Sequence, residues 1–438
     1  MRKSLCLSIA LLFLSTLASA QAPNPKNPAL APLDALYPEL DKLYLDLHQT
    51  PELSLHEEKT AAKMASHLRA LGFEVTERVG GYGVVGVLKN RKGPTVLVRA
   101  DMDALPVEER TGFPYASKVT VKDDSGVLVP VMHACGHDIH MTSWVGAATM
   151  LARAKDRWRG TLVMIAQPAE EKGGGAAAML KDGLFTRFPK PDFAISFHDS
   201  ASQPAGRISV TAGFAGANVD SVDILIFGRG GHGAYPHTTV DPVVIAARVV
   251  VALQTLVARE NSPFDPAVVT VGSIHGGTKH NIIPDEVRLQ LTVRSYKDDV
   301  RKRLLSGIER IAKAEAAAAS APKEPSVIAS EGTPAMYNDP ALARRLSGAL
   351  TKTFGESNVI EGQPTMGGED FSEYGRAGVP AVQFEVGAVA QGKYEAAKAS
   401  GTPLPSLHSS QFGPDREPTI KAASSALTVA ALELLGKP

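Results

Sequence analysis

The sequence predicts an α/β chain: a mixed, largely parallel sheet flanked by helices, interrupted by an inserted ferredoxin-like unit. Three observations carry this. From Tyr37 onward, short β-rich runs alternate with helical spacing of apolar residues. Past Thr211 the order changes to β-α-β-β-α-β, the split βαβ pattern. Asp101, Glu170 and His198 fall just past predicted strands of the first set, where open α/β sheets build their sites.

The elements follow in order. Residues 37–47 and 59–71 space their apolar side chains as helices do. Strand-like runs come at 73–76, 83–88 and 95–99. A helix is expected over 139–154, a strand over 161–166, a small-residue helix over 176–182 and a strand over 193–197. The inserted unit has strands at 219–227, 267–274, 287–295 and 326–329, and long helices at 241–259 and 298–319. Helices at 340–354 and 420–435 then flank a strand at 381–386. The predicted division is 28–212 and 330–438 for the first domain and 213–329 for the insert, which is within ordinary domain size.

Residues 1–20 read as a signal peptide. Arg2 and Lys3 precede the apolar residues 5–17, and Ala18-Ser19-Ala20 is a small-residue cleavage site. The apolar stretch is short for a membrane span. Export to the periplasm or medium is therefore expected. The chain has 46 basic and 46 acidic residues and no long basic run, which excludes nucleic acid and anionic membrane as expected partners. Of two cysteines, Cys6 lies in the leader, so Cys135 has no internal disulfide partner. A lone thiol in an oxidising compartment suits a metal-bound or shielded site.

Cys135 sits in His133-Ala134-Cys135-Gly136-His137-Asp138. Thiolate and imidazole two residues apart make a grip for a transition metal. A helix starting near Asp138 is expected to lower the thiol pKa. Glu170-Glu171 follows the strand at 161–166. Such a pair can divide labour, one carboxylate on metal and one on water, although it equally suits a solvated helix start. His198 is a plausible ligand at a strand end, or a hydrogen-bonded boundary histidine. Nothing local marks His408. Asp101-Met102-Asp103 offers carboxylates to coordinate, to orient ligands or to cap a helix. On the strand 287–295, Arg288, Gln290, Thr292 and Arg294 share the open face, where a guanidinium can clasp a carboxylate. Gly367 and Gly368 suggest close backbone approach to a ligand, with Glu369 shaping that wall. The segment 119–131 is expected to border the pocket.

These runs together resemble the M20 metallopeptidase family in its amidohydrolase branch. The resemblance rests on residues 99–106, 132–140, 167–171, 228–234, 281–285 and 366–371, with 47–54 in support. It implies a di-metal catalytic domain with a lid and dimerisation insert. Cys135 would bridge two divalent ions, zinc or manganese first, cobalt or nickel next; His137, Glu171, His198 and His408 would complete the ligands. Glu170 would be the general base, with Asp103 supporting the catalytic group. His232 would stabilise the oxyanion, often from a partner subunit, and Asn281 with Arg294 would hold the substrate carboxylate, near Gly368 and Glu369. Asp101 stands where many relatives place a histidine ligand. The implied reaction is amide hydrolysis of N-acyl amino acids or short peptides by a homodimer or higher oligomer. A dipeptidase or carboxypeptidase is the alternative on the same fold, and a cysteine-nucleophile hydrolase using Cys135 the alternative of another class.

Overall fold

The computed structural model describes residues 27–437, so the expected signal peptide lies outside the described residues. Eight strands form one mixed sheet. Their order is Glu74–Val79, Gly83–Asn90, Gly160–Gln167, Thr95–Asp101, Phe193–Pro204, Ala381–Val389, Ile208–Val210 and Val359–Glu361. The interior pairs from Gly160–Gln167 to Ala381–Val389 are parallel. Antiparallel pairs join the first three strands and hold Ile208–Val210 to Ala381–Val389.

The central strands are buried on both faces, and Val96-Leu97-Val98 is a continuous apolar run for that reason. Helices Leu33–Gln49, His137–Arg153 and Arg416–Leu434 cover one face, through Leu40, Tyr44, Trp144 and Leu427. The middle one is enclosed nearly all round, so its sequence shows little amphipathic contrast. On the other face Met179, Leu184, Phe371 and Tyr374 pack together.

The insert is a four-stranded antiparallel sheet in the order Ala267–His275, Glu286–Ser295, Asn218–Phe227, Ser326–Glu331. Val222, Ile224 and Ile226 alternate inward with Leu289, Leu291 and Val293. Helices Pro242–Thr255 and Asp298–Ala318 close this core with Ile245, Val249, Leu304 and Ile308. The stretch 242–260 is long and apolar enough to cross a membrane by composition, yet Ile245, Val249 and Leu253 belong to this core.

Several expectations shift. The insert's sheet spans 218–331 rather than 213–329. Gly213–Phe214 instead pairs with Tyr337–Asn338, tying the two crossing segments together outside the insert. Phe193–Pro204 runs twelve residues, so His198 lies within a strand, not past its end. Segment 119–131 folds as a hairpin, Thr120–Lys122 with Leu128–Pro130. It lines neither cleft cavity, but Asp124 at its turn meets Lys172, which does.

Candidate metal centre

The ligand set gathers where the strand ends meet the helix His137–Arg153. Cys135 Sγ lies 3.5 Å from His198 Nε2 and 3.2 Å from His408 Nε2. His408 Nε2 is 3.3 Å from Glu171 Oε1. His137 Nε2 is 3.9 Å from both Glu170 Oε2 and Glu171 Oε1. Among the triads of ligand atoms that result are Cys135, His137 and His198, and Cys135, Glu171 and His408. Cys135 is common to both, as a bridging thiolate would be.

The surroundings prepare these atoms for a cation. His137 Nδ1 is 2.7 Å from the Asp103 carbonyl, and His198 Nδ1 is 2.7 Å from the Asp199 carbonyl. A carbonyl only accepts, so both protons sit on Nδ1 and the Nε2 lone pairs face the site. His137 Nε2 is buried without a hydrogen-bond partner, and Glu171 Oε1 has only the 3.3 Å contact with His408. Uncompensated buried polar atoms are costly, and a metal ion satisfies this soft-and-borderline donor set. The residues present therefore fit a two-metal group.

Asp103 holds the ligands from behind. Its carboxylate accepts from Ser54 Oγ at 2.6 Å and from the backbone N–H groups of Glu170 and Glu171. It is buried and engaged with protein donors, so it positions the turn rather than touching substrate. The same turn carries Ala169 at φ +52°, whose N–H donates to Glu57. His408 is likewise held at φ +64°, with its N–H on the Ala134 carbonyl. Such unfavourable backbone collects where function fixes a side chain.

Asp101 forms a further candidate triad with His137 and His140, but both its oxygens already have protein partners. It accepts from Arg99 Nη1 at 2.5 Å and pairs with His140 Nδ1 at 2.6 Å. Burial opposes its charge, but Arg99, His137 and His140 hold its carboxyl well below the usual range. Arg99 also meets Glu369 and Asp370, each at 3.0 Å. Glu369 also lines the larger cleft cavity, as expected, while Oε1 is held by Arg99. Arg99, His140 and Asp199 were missed in the sequence. His140 alone left a signal, three residues after His137 on the same helix.

Two electrostatic findings bear on roles. Burial, then Glu369 and Glu171, raise the Glu170 carboxyl well above its ordinary value. A carboxylate so placed has a strong pull for a proton. Burial also pushes the Cys135 thiol up, against the expected lowering by the helix terminus. Desolvation, with the neighbouring Glu171, outweighs the lowering by His137, which disfavours a free thiolate nucleophile.

The residues expected to hold substrate divide. Arg294 faces the cleft, in the two cavities that contain Cys135 and His198. Gly368 lines both as well, and a Cβ there would fall 2.2 Å from Val219 Cγ2 and 3.4 Å from Arg294 Nη1. Its bareness thus serves contact with the insert. His232 and Asn281 lie elsewhere, together, through the Gly233 N–H bond to the Asn281 carbonyl. Strand Glu286–Ser295 separates that end of the insert from Arg294. At ~3.4 Å per residue, Glu286 and Arg294 stand roughly 27 Å apart, so one chain cannot close Asn281 and Arg294 on one carboxylate. His232 is exposed, and its Nδ1 accepts from the Ala234 N–H at 3.0 Å, which puts its proton on Nε2.

Known proteins resemble the chain in sequence and fold. The model of peptidase family M20/M25/M40 matches residues 97–404. Hippurate hydrolase of Campylobacter jejuni is 38% identical over 335 residues, 76% of this chain and 84% of that one. Thermostable carboxypeptidase 1 of Saccharolobus solfataricus is 38% identical over 332 residues, 75% of this chain and 80% of that one. A solved dinuclear metal-binding peptidase of the M20 family from Bacillus subtilis superposes with TM-score 0.73 at 28% identity, covering 92% of this chain and all of the other. Shared fold, shared sequence and a paired ligand cluster converge: the chain belongs to peptidase family M20/M25/M40, in its amidohydrolase branch, and is a metal-dependent amidohydrolase or peptidase.

Proposed function

We propose that the chain hydrolyses the amide bond of N-acyl amino acids, or of short peptides with a free carboxylate, releasing acid and amine. The observation that carries this is Glu170 beside two ligand triads that share Cys135. Cys135, His137, Glu171, His198 and His408 would hold two divalent ions, zinc or manganese first, given thiolate and imidazole donors, with cobalt or nickel next. When bound, such ions lower the pKa of water and polarise the amide carbonyl.

The chain's own groups do the rest. Glu170 takes a proton from the attacking water as its oxygen bonds to the carbonyl carbon. It returns that proton to the amide nitrogen as the carbon–nitrogen bond breaks, so charge and atoms balance. Arg294 clasps the substrate carboxylate. His232, with its Nε2 proton, serves the developing oxyanion. Its place on the far end of the insert favours action on a partner subunit's site, in a homodimer joined through the insert, with Asn281 arriving alongside. A carboxypeptidase reading is favoured by the relatives of that name and differs only in the acyl side. Export of the mature chain to the periplasm or medium is part of the same proposal, and cell fractionation checks it.

The test is a panel of hippurate, N-acetyl amino acids and dipeptides, run on native, chelated and metal-restored enzyme beside Glu170→Gln. Activity that follows the metal and is lost in the variant supports the reading. Activity indifferent to chelation, with no metal by elemental analysis, refutes it.

A further inference from the structure

The cleft continues past the ligands into a cavity of about 740 Å³ whose far wall is the strand Ala381–Val389. That strand lies parallel to Phe193–Pro204, with Glu385 directly opposite His198. Paired residues in register project from the same face of a sheet, so the Glu385 carboxylate stands beside a metal ligand, one strand spacing away. Gln383, two residues earlier, shares that face, while Val382, Phe384 and Val386 are buried on the other.

The free atoms of these two side chains are acceptors. Glu385 Oε2 accepts from Gln203 Nε2 and Ser209 Oγ, each at 3.0 Å, and Oε1 takes no hydrogen bond among the described residues. Gln383 Nε2 donates to Glu369 Oε2 at 2.7 Å. A carboxylate cannot donate, so this fixes the amide and leaves Gln383 Oε1 as a second open acceptor. The partners of Glu385 are neutral donors and no cation pairs with it among the described ion pairs, although the residue is half-buried. A half-buried carboxylate with one free oxygen beside an open amide oxygen, with no cation of its own among the described ion pairs, is a site that suits a charged donor.

We infer that this end of the cleft is a specificity pocket for a positively charged group, an ammonium or guanidinium, on the substrate. This rests on the hydrolase reading above and narrows it. The preferred substrate is zwitterionic: its carboxylate lies at Arg294 and its cation at Glu385 and Gln383. A basic side chain on the amino acid, or an amine-bearing acyl group as in a short peptide, meets that description. A plain benzoyl or acetyl group leaves both acceptors unpaired, which costs affinity.

Two matched pairs test it on the metal-loaded enzyme: N-acetyl-lysine against N-acetyl-norleucine, and 6-aminohexanoyl-glycine against hexanoyl-glycine. The expected result is an advantage in kcat/KM of about tenfold or more for the ammonium member of at least one pair, as 1.4 kcal/mol of differential binding gives. In Glu385→Gln, which keeps the size and an acceptor, that ratio should collapse toward one. Equal or better use of both neutral members, or a ratio untouched by Glu385→Gln, overturns the proposal. Calorimetric Kd values on metal-loaded Glu170→Gln give the same ratio without turnover. A cation preference in binding with no hydrolysis would sink the hydrolase reading and keep this pocket. Hydrolysis with a neutral preference would do the reverse.

Discussion

Whether His232 works on its own site or on a partner's can be decided with two inactive variants. Glu170→Gln removes the base and should cost about 10³-fold in kcat. His232→Ala removes one oxyanion donor and should cost about 10²–10³-fold. Within one chain His232 lines neither cleft cavity, and it lies at the end of the insert that the strand Glu286–Ser295 holds roughly 27 Å from Arg294. Side chains do not span that gap. In a two-fold symmetric dimer each site would therefore join its own Glu170 to the partner's His232. Co-expression of the two variants under different tags, with tandem purification, isolates the mixed dimer. One of its two sites then has both groups intact, so about half the wild-type kcat should return. A purified mixed dimer no more active than the single variants would refute the reasoning, and so would failure to recover any mixed dimer.

Gly368→Ala should lower kcat/KM by about tenfold or more, because the added methyl collides with Val219 and shifts the cleft wall against which Arg294 rests; circular dichroism would confirm retained folding. Asp103→Asn should reduce metal affinity by about 10- to 100-fold, read by competition with a chelating dye, since the Glu170-Glu171 turn and His137 lean on that carboxylate. His48 supplies a pH test of stability. Burial works against its charge, but hydrogen bonds to Asp138 and Glu109 prevail and lift its pKa to about 9. A raised folded pKa contributes stability fully below the unfolded value near 6.5, and that contribution disappears as pH rises through about 9. The gap in unfolding free energy between wild type and His48→Phe should therefore narrow by roughly 3 kcal/mol from pH 6 to pH 10. A gap that is flat or widens over that range would contradict the buried network.

What could be read from the sequence was whatever is written locally. The order of strands and helices in the insert shows in its own periodicity, and the structure moves its edges by a few residues. The run around Cys135 and the pair Glu170-Glu171 declare a metal site because neighbouring residues carry complementary chemistry. Three-residue strands such as Ile208–Val210 are too short to show a period, and they went unread. Arg99 looked like any strand residue, since only the fold brings Glu369 and Asp370 against it. Asn281 and Arg294 were paired by analogy, and the length of one strand undoes that pairing within a single chain. Glu385 is the instructive case. Its alternation with Phe384 and Val386 is plain in the sequence and says that one face of the strand is polar. Which face, and beside what, depends on register with His198, far away along the chain and adjacent across the sheet. Local pattern decides that a polar row exists; only pairing turns the row into one wall of a cleft, and so into a statement about substrate.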